Sequence, residues 1–400
     1  MQLIDNKNIK ILAGNKKFKK KVYKIFDDEV RNFLDTLSSQ ILKNKNALKY
    51  SDLIAFAFWI RKKNIDKKRN KYSENELRLG YGLAFHITPA NIALQFAYSF
   101  VISLISGNSN IIRVTNSKFE QNKIFFKILN KIMKMNKFKQ IYESNLFLNY
   151  DYNEKINETL SKICDCRIIW GSDKTISNIK KIPTHPLCKD IIFPDRYSIS
   201  LINLNSISRL DKKNFEIFVK KFYQDALVFD QNACSSPHLI FWFGKKNKKN
   251  NYNKFWDQLN SAIKNGKFFI PNEKNKIDKF TKICEYAASR DEVKKVHNDS
   301  YSSRIEIKKI PKDIASLRVG FGFFFEHFTN NFKDIAKSVS SKFQTMTYFG
   351  FKEADLKKFV LEEKPLGVDR IVPVGRALEF DQLWDGYDLI RSMSKIIDLK

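Results

Sequence analysis

Between Leu79 and Ile176, short apolar runs alternate with stretches of helical periodicity, and this alternation restricts the fold more than any other feature. Leu79–Ile87 reads as a strand and Thr88-Pro89-Ala90-Asn91 as a turn. Ile92–Ser106 reads as a buried helix, ended by Gly107-Asn108. A second cycle follows, with strand Asn110–Val114, amphipathic helix Phe119–Met135 and strand Leu146–Tyr150. Arg167–Trp170 is a further strand, and Gly171-Ser172 leads from it into another helix. Strands that alternate with helices in this way build parallel sheets covered by helices, so the expected fold class is α/β.

The pattern restarts after a polar stretch at 205–211. Helix Asn214–Phe229, turn Asp230–Ser236 and strand His238–Phe243 follow in order. A chain of 400 residues is long enough for two packed domains. The expected divisions are residues 1–206, 207–366 and 367–400, the last segment returning to the first domain. Residues 1–75 are Lys-rich; Phe18, Val22, Ile25 and Phe26 recur at helical spacing, as do Leu34, Leu37 and Leu42. The run at 244–254 (GKKNKKNNYNK) is expected to be a solvated loop.

The net charge of +29 raises nucleic acid or an anionic surface as partners. Its distribution argues against both. Lysines are interleaved with Asp and Glu along the chain, and no aromatic-basic RNA module or helix-turn-helix signal is present, so no nucleic acid is expected. With 58 Lys against 14 Arg, and abundant Asn, Ile and Phe, the composition is one that AT-rich codons favour, which would account for part of the charge without a partner. The run Ile92–Ser106 carries Gln95 and falls short of the roughly 20 residues that span a bilayer, so the chain is not expected to be an integral membrane protein. The first residues, MQLIDNKNIK, lack an apolar leader core, and a cytoplasmic location is expected. Five cysteines, an odd number in a large chain, argue against a disulfide framework. Cys164-Asp-Cys166 has the wrong spacing for a zinc site, and no metal is expected.

Four segments have the residue types that chemistry needs. Phe229–His238 (FDQNACSSPH) sets Cys234 among small and polar residues between a helix and a strand. The thiolate is the nucleophile, and a turn rich in backbone N–H groups favours it; the alternative is an inert buried cysteine. His238, four residues on, would meet Cys234 across one helical turn as an acid/base, or else simply starts the next strand. In Ile87–Ile92 (ITPANI), the Asn91 amide suits a developing oxyanion or a helix N-cap. In Gly107–Lys118, Arg113 ends a strand and is followed by Thr115, Asn116, Ser117 and Lys118, a cationic end with hydroxyls that suits phosphate or ribose, or is a polar loop. In Ile168–Ile176, Gly171 and Ser172 open a helix whose free N–H groups suit a pyrophosphate.

Taken in order, ITPANI, GNSNIIRV, IIWGS and FDQNACSS resemble the aldehyde dehydrogenase superfamily. ACSSP at Ala233–Pro237, FQTMTYFG at Phe343–Gly350 and GVDRIVPVGRALEFDQLWDGYDLI at Gly367–Ile390 are closer to one branch. They resemble the long-chain acyl-CoA (acyl-protein thioester) reductases of the bacterial luminescence fatty-acid reductase system, over roughly Leu79–Lys400. The resemblance implies an aldehyde dehydrogenase-like fold, with a Rossmann-type cofactor domain (1–206), an α/β catalytic domain (207–366) and a C-terminal cofactor-domain and oligomerisation segment (367–400). It makes Cys234 the nucleophile, Asn91 the oxyanion-hole amide, and Arg113, Thr115, Asn116, Gly171 and Ser172 the cofactor residues. Aldehyde-oxidising relatives often carry a glutamate where Asn116 stands, so the resemblance favours NADPH over NADH. They also carry an ELGG glutamate that activates water. The stretch here, Ile191–Ile199 (IIFPDRYSI), has none, which suits a reductase that protects its thioester. A second superfamily glutamate, in an EIFGP segment, has no clear counterpart, although Glu326 lies nearby.

The implied activity is NADPH-dependent reduction of a fatty acyl-CoA or acyl-protein thioester to the aldehyde through an S-acyl-cysteine. The alternatives are an aldehyde dehydrogenase-like enzyme acting on another acyl or aldehyde substrate, and a non-redox acyltransferase or thioesterase using the same cysteine. The resemblance further implies a homo-oligomer and an acyl-protein synthetase as partner.

Overall fold

A computed structural model of the chain describes residues 9–73, 76–90, 92–115, 119–244, 252–266, 272–299 and 301–400. Asn91, Asn116, Ser117, Lys118 and the 245–251 part of the basic run therefore lie outside the described residues. The chain divides into two units. Met1–Pro194 with Gln382–Lys400 form one, and Asp195–Asp381 form the other. The division falls at 194/195 rather than 206/207 because Tyr197–Asn203 is an inner strand of the second unit's sheet. The return falls at 381/382 rather than 366/367 because Arg370–Pro373 is a strand of the same sheet.

The first unit opens with β1 (Lys10–Gly14), α1 (Asp28–Lys43), α2 (Ser51–Trp59) and α3 (Lys62–Arg69). Asp27 caps α1 through its side chain, and Leu34 and Leu37 are buried on one face. Residues 18–26 are not helical, despite their spacing. Their N–H groups donate elsewhere: Lys19 to Glu143 O, Tyr23 to Gly107 O and Phe26 to Ile105 O. Long-range partners have overridden a local periodicity.

The alternating region follows. Its elements are β2 (Arg78–Gly80), β3 (Leu83–Ile87), α4 (Gln95–Ile105), β4 (Ser109–Arg113), α5 (Glu120–Met133), α6 (Lys139–Ser144), β5 (Asn145–Asn149), α7 (Glu154–Ile163), β6 (Cys166–Trp170), α8 (Asp173–Lys180) and β7 (Lys189–Phe193). The expected strand Leu79–Ile87 is broken at Gly82 (φ 137°), where a Cβ would lie 2.3 Å from the Asp165 carboxylate. Among the described residues, the sheet order is β1-β5-β4-β3-β6-β7, with β3 to β7 parallel and β1 antiparallel. The chain leaves β3 toward β4 and β5 on one side, then restarts at β6 on the other. The order thus reverses between β3 and β6, and ligands of open α/β sheets bind outside the carboxyl ends of strands at such a point. Those ends are Ile87-Thr88 and Trp170-Gly171.

A buried chain of hydrogen bonds fixes the same strands. Trp170 Nε1 donates to Ser99 Oγ (3.0 Å), and His86 Nδ1 lies 2.9 Å from that oxygen. His86 Nε2 lies 2.9 Å from Asn110 Oδ1, and Asn110 Nδ2 donates to Asn145 Oδ1 (2.7 Å). Burial pushes the His86 pKa down to about 4, so the ring is neutral. Asn110 Oδ1 can only accept, which puts the proton on Nε2 and leaves Nδ1 to accept from Ser99. Every donor then runs in one direction, from β6 through α4 to β3, β4 and β5.

The second unit holds β8 (Tyr197–Asn203), α9 (Leu204–Ser208), α10 (Lys212–Leu227), β9 (Pro237–Phe243), α11 (Tyr252–Asn265), α12 (Glu273–Ser289), β10 (Val293–Asn298), β11 (Ser303–Ile307), β12 (Phe323–Thr329), α13 (Phe332–Ser338), β13 (Phe343–Phe349), α14 (Glu353–Lys358) and β14 (Arg370–Pro373). The sheet order is β10-β11-β12-β9-β8-β13-β14, parallel except for β10. Both faces are buried, by Ile199, Leu239 and Phe241 on one side and Ile202, Ile240 and Trp242 on the other. That is why the strands read as unbroken apolar runs. The first unit is completed by β15 (Leu383–Trp384), β16 (Tyr387–Asp388), α15 (Leu389–Ser392) and β17 (Ser394–Ile396), the last pairing with β2. No helix of the described residues is long and apolar enough to cross a membrane.

Candidate active site

Cys234 lies in the turn between α10 and β9, half-buried, with Ala233, Ser235 and Ser236 buried around it. The turn begins with two consecutive left-handed residues, Asp230 (φ 54°) and Gln231 (φ 63°). Each costs roughly 1–2 kcal/mol for a residue with a side chain, so the surroundings must hold them. The Gln231 carboxamide does so. Its Nε2 donates to Pro237 O (2.9 Å) and Phe323 O (3.0 Å), and its Oε1 accepts from Gly322 N–H (3.0 Å). Ser236 Oγ ties the far end of the turn to Asp225 O (2.9 Å).

The cysteine itself is held from two further strands. Ser198, at the start of β8, donates its hydroxyl to Cys234 O (2.6 Å) and accepts from Thr345 N–H (3.1 Å). Gln344, at the start of β13, donates from Nε2 to Cys234 Sγ (3.4 Å). The register of β8 shifts beside Ser198 on both sides, against β9 and against β13. Bulges of this kind re-aim side chains and cluster next to active sites. The arrangement gathers at the amino ends of β8, β9 and β13, where an amide N–H meets the thiol and a hydroxyl meets the backbone carbonyl of the same cysteine. The other cysteines differ. Cys164 and Cys166 are buried in the first unit, Cys188 is half-buried with its sulfur 3.8 Å from that of Cys164, and Cys284 is exposed on α12.

His238 is not one helical turn from Cys234. It stands on β9, buried, and stacks on Tyr197 with centroids 5.5 Å apart. Burial, and next the Arg318 charge, push its pKa down to about 3, so its ring is neutral. Glu326 is likewise removed from the turn. It is fully buried on β12, where Trp242 Nε1 (2.7 Å), Trp256 Nε1 (3.0 Å) and Tyr252 Oη (2.9 Å) donate to its carboxylate and Arg304 Nε lies 3.4 Å away. It is a core hub of the second unit.

In the first unit, Arg113 ends β4. Its Nη2 reaches Tyr150 O at 3.5 Å, the guanidinium lies 5.1 Å from the Tyr150 ring centroid, and its buried Nε has no hydrogen-bond partner among the described residues. Thr115 donates to Thr88 O (2.9 Å) and Thr88 to Arg113 O (2.8 Å), so these two hydroxyls lock the ends of β3 and β4 together. Ser172 caps α8, and a Cβ on Gly171 would come within 3.0 Å of Thr175. The orphaned guanidinium N–H, the backbone bare of a Cβ at Gly171 and a helix N-terminus form a donor set that fits an anionic dinucleotide.

Sequence reasoning picked out Cys234 and missed Ser198, Gln231, Gln344 and Asp225. Only the resemblance touched Gln344, through the FQTMTYFG segment. Ser198 alone carried a weak local signal, as a polar residue in an apolar strand.

Comparison with known proteins agrees with the fold. The chain is similar to the lactaldehyde dehydrogenase of Escherichia coli, with 12% identity, 92% of this chain and 86% of that one covered, and a TM-score of 0.62. It is similar to aldehyde dehydrogenase 21 of Physcomitrella patens (11% identity, 92% and 85% covered, TM-score 0.63). It is also similar to an NAD-dependent benzaldehyde dehydrogenase of Corynebacterium glutamicum (9% identity, 92% and 84% covered, TM-score 0.60). No curated protein sequence matches it. The family model described as Acyl-CoA reductase (LuxC) matches residues 14–396, nearly the whole chain. An α/β chain with an aldehyde dehydrogenase-like fold, it belongs to the acyl-CoA reductase (LuxC) family.

Proposed function

We propose that this acyl-CoA reductase converts a long-chain fatty acyl-CoA or acyl-protein thioester to the aldehyde through an S-acyl intermediate on Cys234. The observation that carries the reading is the braced, half-buried turn of Cys234, with Ser198 on its carbonyl and Gln344 on its sulfur. The Cys234 thiolate attacks the thioester carbonyl, and the C–S bond to the carrier breaks, releasing the carrier thiol. The Cys234 backbone N–H and the Asn91 amide stabilise the oxyanion in this reading. When bound, NADPH would supply the hydride that reduces the acyl carbonyl to the oxyanion of a thiohemiacetal. Collapse of that adduct returns the electron pair to Cys234 Sγ and frees the aldehyde. Arg113, Gly171 and Ser172 would hold the cofactor, and the Thr88 and Thr115 hydroxyls tie the ends of β3 and β4 together. Ile191–Ile199 holds no glutamate to activate water against the thioester, and its one carboxylate, Asp195, is ion-paired with Arg318. His238, neutral and buried, is not assigned a proton-transfer step.

The test mixes the protein with NADPH or NADH and acyl-CoAs from acetyl to stearoyl. Cofactor oxidation is followed while the aldehyde is trapped as a hydrazone. The expected result is NADPH consumption matched by aldehyde, greatest with the longer chains. Release of free CoA with no cofactor oxidation would make the protein an acyltransferase or thioesterase instead.

A further inference from the structure

We propose that Gln344 is a catalytic residue whose carboxamide donates to Cys234 Sγ, holds the thiolate for attack and then follows the developing oxyanion. The inference rests on Cys234 being the nucleophile.

Gln344 is buried, at 1% exposure, on β13 between Phe343 and Thr345. Burying a primary amide is costly unless its groups are used. Its Oε1 accepts from the Thr345 hydroxyl (3.2 Å), which leaves the NH2 end facing the sulfur at 3.4 Å. The bulge in β13 opposite Ser198 provides the aim. Thr345 spends its N–H on Ser198 Oγ, and Ser198 spends its O–H on the Cys234 carbonyl. One hydroxyl thus sets both the carbonyl of Cys234 and the strand that carries the amide.

The chemistry follows from what sulfur accepts. A neutral thiol is a weak acceptor, a thiolate is a strong one, and a hydrogen bond to a charged form favours that form. The Gln344 N–H therefore stabilises the ionised sulfur more than the thiol. Once Sγ is bonded to an acyl carbon it becomes a poor acceptor again. The acyl oxygen is then on an atom bonded to Sγ, within the amide's reach, and gains negative charge as hydride arrives. A donor that is stronger in the transition state than in the ground state raises kcat rather than lowering KM.

The test uses the full-length protein with Gln344→Leu and Gln344→Glu. Two readouts are taken after folding is checked by circular dichroism. The first is the rate of Cys234 alkylation by iodoacetamide against pH, read by peptide mass spectrometry without substrate or cofactor. The second is steady-state reduction of palmitoyl-CoA with NADPH. Gln344→Leu is expected to move the alkylation profile to higher pH and to lower kcat by about ten- to a hundredfold with KM little changed. Gln344→Glu keeps the length but sets a carboxylate against the sulfur, and is expected to be slower still in both readouts. If Gln344→Leu does not fold, Gln344→Glu provides both readouts alone. A folded variant with an unmoved alkylation profile and kcat within about twofold of the parent overturns the proposal. Cys234→Ser separates the two claims. If it keeps full activity, the nucleophile assignment fails; if it is inactive while Gln344→Leu is fully active, only the role of Gln344 fails.

Discussion

Ser198 uses one oxygen twice, donating to Cys234 O at 2.6 Å and accepting from Thr345 N–H at 3.1 Å. Ser198→Ala leaves both backbone groups buried without that partner. It is expected to cost about 1–3 kcal/mol in urea denaturation and to slow Cys234 alkylation; unchanged stability would mean that both groups find other partners. Cys234 was legible as a candidate from its local setting, a turn of small polar residues between a helix and a strand, and the resemblance is what made it the expected nucleophile. Its supports were not. Ser198 lies 36 residues away and Gln344 lies 110 away, and nothing in either residue announces a partner at that distance. Of the two readings open for His238, the structure gives the start of the strand. A spacing of four residues implies contact only on a helix, and the intervening residues form a turn leading into β9.

At the scale of elements, α10 does more than lead to the turn. Its Asp225 carboxylate, buried near the helix end, accepts N–H groups from Gly375 and Ala377 (2.5 Å and 2.8 Å) and so fastens the loop after β14. Burial raises the Asp225 pKa to about 7, against the pull of those two N–H groups. The folded protein therefore keeps this proton up to about pH 7, whereas the unfolded chain loses it near pH 4. The group's contribution to stability is full below that lower value, falls as pH rises and levels off above about 7. Asp225→Asn removes this slope, so the stability gap between parent and variant in urea is expected to narrow from pH 5 to pH 8; a widening gap would reverse the sign. The alternation of strands and helices was readable because it arises from burial on both sheet faces. The extended path of residues 18–26 was not, because its backbone hydrogen bonds go to residues as distant as Gly107 and Glu143.

At the scale of the whole molecule, each unit has its own sheet and its own apolar core. The residues proposed to hold the cofactor belong to the first and the proposed nucleophile to the second. The charge of +29 is spread along the chain, and exposed ion pairs such as Lys357–Glu353 contribute little to stability. The share expected to matter is local. Arg113→Ala should raise the KM for NADPH about tenfold and leave that for NADH nearly unchanged; an equal rise for both would detach Arg113 from the 2′-phosphate. The proposed reaction turns on one covalent bond. Mixing the protein with palmitoyl-CoA in the absence of NADPH, followed by intact-mass and peptide analysis, tests it most directly. The predicted result is one palmitoyl group on the peptide carrying Cys234, discharged as aldehyde when NADPH is added and absent in Cys234→Ser. An acyl group on another cysteine, or aldehyde formed at the parental rate by Cys234→Ser, would contradict it.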